Sequence, residues 1–180
     1  MSDERPLRLF VALELPAGVR EALAVDDHAN WRAVPLEALH VTLAFLGSRP
    51  PSDVDAIARV LEDEADCPAP RLATAATLLL PRGRPRVLAV ALDDLDGTLA
   101  PLQARVSDGL ARAGVFTPEK RPFRPHVTIA RFRPRALLPR IGEATSPPIV
   151  FTADRLTLFQ SQLHPKGARY TPVTGAMLAH

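Results

Sequence analysis

His40-Val41-Thr42-Leu43-Ala44 recurs 86 residues later as His126-Val127-Thr128-Ile129-Ala130. In an extended strand the side chains alternate between faces. Each His and its Thr therefore project from one side, while Val41, Leu43, Val127 and Ile129 point to the other. Each strand offers one titratable ring and one hydroxyl. With 11 Thr and five His in 180 residues, roughly 0.3 His-x-Thr matches are expected from composition alone. The matching apolar residues at the second and fourth positions, and the Ala at the fifth, make a chance pair rarer still.

The flanks of the two copies read as punctuation. Leu39 to Leu46 forms the first motif strand, closed by Gly47 and Pro50-Pro51. Before the second copy, Pro122-Phe123-Arg124-Pro125 forces an extended approach, and the strand runs to about Phe132. Upstream of the first copy, Arg8 to Glu14 reads as a buried strand ended by Pro16-Ala17-Gly18. Val19, Ala22 and Leu23 follow at helical spacing in a helix that fades toward Asn30. Ser52 with Asp55 resembles a capping box for a helix whose apolar stripe is Val54, Ile57, Ala58 and Leu61.

Two strands are expected over Arg71 to Leu80 and Arg86 to Leu92, joined by the turn Pro81-Arg82-Gly83-Arg84-Pro85. The longest helix comes next, with Asp93 or Asp94 as its cap. Leu95, Leu99, Leu102, Val106 and Leu110 lie on one face, and Gly114 is its stop. Ile149 to Gln162 supplies a further strand or pair, and Tyr170 to Val173 a last short one. Strand, helix, motif strand, helix and strands thus run twice in succession, which suggests two similar α+β lobes within one domain spanning 1–180. Lobes that face each other would bring the two His-Thr strands together.

Composition bounds the rest. At 180 residues and 47% hydrophobic content the chain builds one well-buried core. No apolar run approaches the ~20 residues of a membrane helix. Ser2, Asp3, Glu4 and Arg5 lead straight into a strand and do not look like a signal peptide. The expected setting is cytoplasmic, with no membrane partner. Cys67 is the only cysteine, so an intramolecular disulfide is impossible and a Cys-based zinc site lacks its partners. Nothing near it in sequence would lower its pKa, and it reads as filler.

Net charge is only +2, but 20 of the 22 cationic residues are Arg. Arg82, Arg84 and Arg86 form one cluster. Arg121, Arg124, Arg131, Arg133, Arg135 and Arg140 surround the second motif, where forked guanidinium groups could hold phosphates. Solvated loop charge is the alternative for any one of them.

Two histidines suit the opening of a phosphodiester. Near pH 7 one can be neutral and take a proton from the nucleophile, while the other is charged and protonates the leaving oxygen. The Thr hydroxyls and an Arg would hold the non-bridging oxygens in the transition state. A pair of His without carboxylates lacks the third ligand a hydrolytic metal site requires, so no metal or cofactor is expected. There is no phosphate-binding Gly-x-x-x-x-Gly-Lys loop, no Gly-x-Ser-x-Gly elbow and no Gly-x-Gly-x-x-Gly fingerprint. His28 and the terminal His180 read as solvent-exposed. His164 reads as structural, although the Pro165-Lys166-Gly167 loop after it could reach a ligand.

From Arg8 to Val173 the chain resembles the 2H phosphoesterases, and most closely their RNA 2',3'-cyclic phosphodiesterase (2'-5' RNA ligase) branch. The resemblance is carried by the Arg8 to Pro16 start, Leu39 to Gly47, Arg121 to Arg131, and Leu156 to Leu163 followed by Gly167 and Tyr170. It implies a bilobal α+β fold, with a cleft between two antiparallel sheets, and metal-free action on RNA ends that carry a 2',3'-cyclic phosphate. Water would open the ring to leave a 2'-phosphate, with reversible 2'-5' RNA ligation through the same groups. By the same resemblance His40 is the general acid that protonates the departing 3' oxygen, and His126 the base that activates water, a swap of roles being open. Thr42, Thr128 and Arg131 bind phosphate. The expected partner is an RNA end, tRNA-like fragments included, met by a monomer.

Strict alternation would turn Arg131 away from His126 and Thr128, so its role requires the strand to end or bulge first. Family members tend to place an aromatic near the turn before Arg86 to stack on the terminal base. Leu79, Leu80 and Pro81 stand there in this chain, so stacking is weak or comes from another residue. Two further readings stay open. One is a phosphodiesterase for small cyclic nucleotide phosphates or 2'-5' oligonucleotides, and the other a non-catalytic RNA-binding module.

Overall fold

The run Leu9-Phe10-Val11-Ala12-Leu13 is apolar without alternation because both of its faces are covered: all five residues are at most 1% exposed. It forms the centre of β1 (Leu7–Glu14) in the computed structural model, which describes residues 5–140, 147–164 and 167–179. The elements that follow are α1 (Ala17–Leu23), β2 (Trp31–Ala33), β3 (His40–Arg49), α2 (Val54–Glu62), β4 (Arg71–Leu80) and β5 (Val87–Asp94). After them come α3 (Leu99–Arg112), β6 (His126–Phe132), β7 (Val150–Thr152), β8 (Arg155–His164) and β9 (Gly167–Met177).

The strands make one nine-stranded sheet in the order β7-β4-β5-β6-β3-β1-β8-β9, with β2 also on β6, and every pair is antiparallel. The fold is α+β with two lobes, as expected. The lobes are halves of one ladder, however, rather than separate sheets. The motif strands β3 and β6 meet at its centre through a single residue pair, Val41 with Val127. Beyond that pair they part, and β2 takes up the free edge of β6 from Ala130 to Phe132.

The halves also exchange strands, which their sequential order did not suggest. After β3 the chain crosses to pair β4 with β5, beside His126; after β6 it returns to pair β8 with β1, beside His40. Among the described residues no helix follows β6 before β7.

Local departures have identifiable causes. α1 stops at Leu23, where Ala24 turns extended, instead of fading to Asn30. A 3-10 turn over Pro51–Asp53 precedes α2, and Ser52 makes no cap; Asp53 is held by Arg49 at 2.6 Å. α3 begins at Leu99 because β5 continues through Asp94, leaving Leu95 48% exposed off the helix. Asp94 still serves the helix N-terminus, its carboxylate accepting the backbone N–H of Leu99 (3.0 Å) and Ala100 (3.3 Å). Gly114, at φ +73°, ends α3 in the left-handed region.

α2 packs on β8 and β9, and α3 on β3 and on α2. The buried stripes Ile57, Leu61 and Leu99, Leu102, Val106, Leu110 therefore share one core with Leu9, Val11, Val41 and Val127. On the opposite face Phe10, Ala12 and Phe159 form a second, smaller buried cluster against which Tyr170 packs.

Candidate active site

Val41 and Val127 are both fully buried in the helix-covered core. Alternation from that shared pair sends His40, Thr42, His126 and Thr128 to the opposite face. The antiparallel register sets His40 beside Thr128 and Thr42 beside His126. A palindromic arrangement of two rings and two hydroxyls follows from one hydrogen-bonded pair.

Both imidazoles are oriented in the same way. His40 Nδ1 donates to the Ala38 carbonyl at 2.7 Å, and His126 Nδ1 to the Arg124 carbonyl at 2.8 Å, each two residues upstream. A carbonyl only accepts, so Nδ1 carries the proton and Nε2 is the nitrogen left for substrate. His40 Nε2 lies 3.0 Å from Thr42 Oγ1. In register an alanine stands beside each threonine, Ala12 by Thr42 and Ala89 by Thr128.

A bulge brings Arg131 onto this face. β5 pairs Ala89 with Thr128 and Leu88 with Ala130, so Ile129 is an extra residue and alternation resets. Strict alternation is thereby overturned. Arg131 stands on the side of His126 and Thr128, its Nη2 donating to the Tyr170 hydroxyl at 3.5 Å. The first motif strand bulges at the same place, Ala12 pairing with Thr42 and Val11 with Ala44. The residue this exposes, five after the His as Arg131 is, is Phe45.

The first carbonyl on each strand beyond the shared pair finds a donor from outside the parting ladder. Gln103 Nε2 on α3 donates to the Leu43 carbonyl at 3.2 Å, and the Val34 N–H to that of Ile129 at 2.9 Å.

The two rings differ in their surroundings. His40 is walled by aromatics, its ring 4.9 Å from Phe10, 5.4 Å from Tyr170 and 6.3 Å from Phe159. Burial pushes its pKa down to about 4, against the bond to the Ala38 carbonyl, with Arg131 and His126 lowering it further. Near neutral pH the His40 ring is therefore uncharged until an anion binds. The bond that orients His126, by contrast, is open to solvent. The aromatics around His40 were not singled out in sequence because they come from separate strands; Tyr170 is 130 residues from His40.

Other candidates lie elsewhere. His28 is exposed and stacks on Trp31 at 4.2 Å, and Arg133 Nε donates to the His28 carbonyl at 3.4 Å. His164 ends β8, exposed; Pro165, Lys166 and His180 lie outside the described residues. Cys67 is buried, its thiol donating to Glu64 Oε2 at 2.9 Å, an oxygen that Arg105 also meets at 2.8 Å. Among the described residues no three His, Cys, Asp or Glu converge as a metal site would need, and no helix is long and apolar enough to cross a membrane.

The sequence and fold match known proteins along nearly their whole length. The chain is 35% identical to the RNA 2',3'-cyclic phosphodiesterase of Thermus thermophilus, over 92% of this chain and 87% of that one. It is 31% identical to the Escherichia coli protein of the same name, over 93% and 94%. Among solved structures, TT0787 of T. thermophilus superposes with a TM-score of 0.77 at 32% identity, covering 96% of this chain and 98% of that one. E. coli LigT complexed with 3'-AMP does so with 0.71 at 27%, covering 98% and 99%. The family model for the 2'-5' RNA ligase superfamily matches residues 16–165, a span that takes in both motif strands. The paired His-x-Thr strands thus lie within the matched region, and this chain belongs to the 2'-5' RNA ligase superfamily.

Proposed function

We propose that the chain is an RNA 2',3'-cyclic phosphodiesterase that opens the ring by water to leave a 2'-phosphate end. The observation that carries this reading is the shared face of His40, Thr42, His126, Thr128 and Arg131, with both Nε2 atoms free of backbone partners. His126, its Nδ1 proton held by the Arg124 carbonyl, takes a proton from water at Nε2. Attack on phosphorus breaks its bond to the 3' oxygen, which receives a proton from His40 Nε2. Thr42 and Thr128 donate to the non-bridging oxygens, and Arg131 supplies positive charge where negative charge accumulates.

His40 must gain a proton before it can give one. An anion bound beside Arg131 offsets the cationic charge that depresses His40 and draws a proton onto its ring. Substrate binding thereby arms the acid. With a 5' hydroxyl in place of water the same groups would join two ends through a 2'-5' linkage: His126 takes the hydroxyl proton, the bond from phosphorus to the 3' oxygen breaks and His40 protonates that oxygen, the reverse of this step cleaving the linkage again by microscopic reversibility. The proposal includes a monomer working on RNA ends in the cytoplasm, tRNA-like fragments among them; the single buried cysteine and modest net charge support that setting.

The test is incubation, in excess chelator, with an oligoribonucleotide that ends in a 2',3'-cyclic phosphate, followed by identification of the product end. A 2'-phosphate supports the reaction and identifies the broken bond. An unchanged end refutes it.

A further inference from the structure

Beside the site, toward the β7 edge, lies a hollow of about 530 Å³ lined by Leu78, Leu80, Leu138, Arg82 and Arg124 among others. The register connects it to the catalytic face. Leu78 pairs with Ala89, which pairs with Thr128, and Leu80 pairs with Val87, which pairs with Arg131. Strands lie 4.7–4.9 Å apart, so the wall of the hollow is two strands, about 10 Å, from the phosphate-binding row. Arg124 belongs to both regions: its carbonyl orients His126 while the residue lines the hollow. Among the described residues neither Arg82 nor Arg124 makes an ion pair.

Resting on the proposed activity, we infer that Arg82 and Arg124 form a subsite for the phosphodiester on the 5' side of the ring-bearing nucleotide. With the cyclic phosphate over His126 and Thr128, the next phosphate along an RNA chain is one nucleoside away, on the scale of the two-strand separation. The apolar floor of Leu78, Leu80 and Leu138 suits the intervening nucleoside, and two guanidiniums at the rim suit a singly charged diester. The subsite makes the substrate an RNA chain rather than a free nucleotide, because a nucleoside 2',3'-cyclic phosphate has no 5' diester to offer.

The experiment compares kcat/KM for a dinucleotide ending in 2',3'-cyclic phosphate with that for the matching nucleoside 2',3'-cyclic phosphate, in wild type, Arg82→Ala and Arg82→Lys. Wild type should prefer the dinucleotide by ~10-fold or more, the scale of one charge-assisted hydrogen bond. The preference should appear mainly in KM, weaken as salt rises, collapse toward unity in Arg82→Ala and be partly kept in Arg82→Lys. Arg82 lies on an exposed turn, so unchanged thermal midpoints are expected. Equal use of both substrates by wild type, or an Arg82→Ala variant that keeps the full preference, overturns the subsite and leaves the proposed activity standing. If wild type turns over neither substrate, the parent reading fails and the subsite with it.

Discussion

Binding of a cyclic phosphate should load a proton onto His40, and the structure sets the size of the effect. The ring sits at a pKa of about 4 instead of 6.5, chiefly through burial among Phe10, Phe159 and Tyr170 and further through Arg131 and His126. To act as acid near neutrality it must return to about 6.5, which at 1.36 kcal/mol per pH unit requires about 3.4 kcal/mol. A monoanion about 4 Å away at an effective dielectric of 20 supplies roughly 4 kcal/mol, enough for the return. The clean ligand is a ribonucleoside 2',3'-cyclic phosphate, whose own charge does not titrate in this range, bound to the His126→Ala variant to slow turnover, a change that removes only the smallest of the influences on the His40 ring. At pH 6 the free ring is about 1% protonated and the bound ring about 75%, so roughly 0.7 proton should enter per ligand. Affinity should fall nearly tenfold per pH unit between the two pKa values. Titration calorimetry in two buffers of different ionisation enthalpy reads the uptake directly. Binding with no proton uptake, and an affinity flat from pH 5 to 7, would refute the reasoning: His40 would stay neutral in the complex, and the acid and base roles would have to be exchanged.

Three further outcomes follow from the same geometry. His40→Ala and His126→Ala should each lower single-turnover rates at least ~10²-fold with the fold intact by circular dichroism, and near-wild-type rates in either would exclude the two-His mechanism. The unfolded chain takes a proton on His40 near pH 6.5 that the folded chain refuses until about 4. Stability therefore falls as pH drops through that window, by about 3 kcal/mol in denaturant titrations, and His40→Asn should lack this part of the loss. A Cβ on Gly175 would meet the Leu156 carbonyl oxygen at 2.6 Å, whereas one on Gly18 meets nothing within 4 Å. Gly175→Ala should cost about 1–3 kcal/mol, and Gly18→Ala should leave the thermal midpoint in place or raise it.

What was legible in the sequence was local. The motif strands announce themselves because Val41, Leu43, Val127 and Ile129 face a helix-covered core, so alternation is enforced. α2 is equally plain from the stripe Val54, Ile57, Ala58 and Leu61, of which Ile57 and Leu61 are buried in the core together with Val60. β2 was missed because three residues hold no period, and β9 runs to eleven residues rather than four because an edge strand has no second neighbour to impose a pattern. The crossing of β4 and β8 to opposite lobes depends on long-range pairing, to which no local window is sensitive. The bulges at Leu43 and Ile129 contain no glycine or proline, so nothing in the motif points to the return of Arg131 to the face of His126 and Thr128.

Those bulges explain how one pentapeptide, used twice, yields two unlike histidines. Each resets alternation at the same step and presents the fifth residue after the His on the face that carries the ring: Phe45 in one copy and Arg131 in the other. Phe45 stacks on Phe10 at 5.6 Å, and Phe10 in turn packs 5.3 Å from Phe159, extending the apolar wall that desolvates His40. Arg131 instead reaches across to the Tyr170 hydroxyl and brings cationic charge into the space between the lobes. The backbone is thus symmetric where geometry is needed, at the Nδ1 to carbonyl bonds and the row of rings and hydroxyls. The side chains break that symmetry where chemistry requires two protonation states.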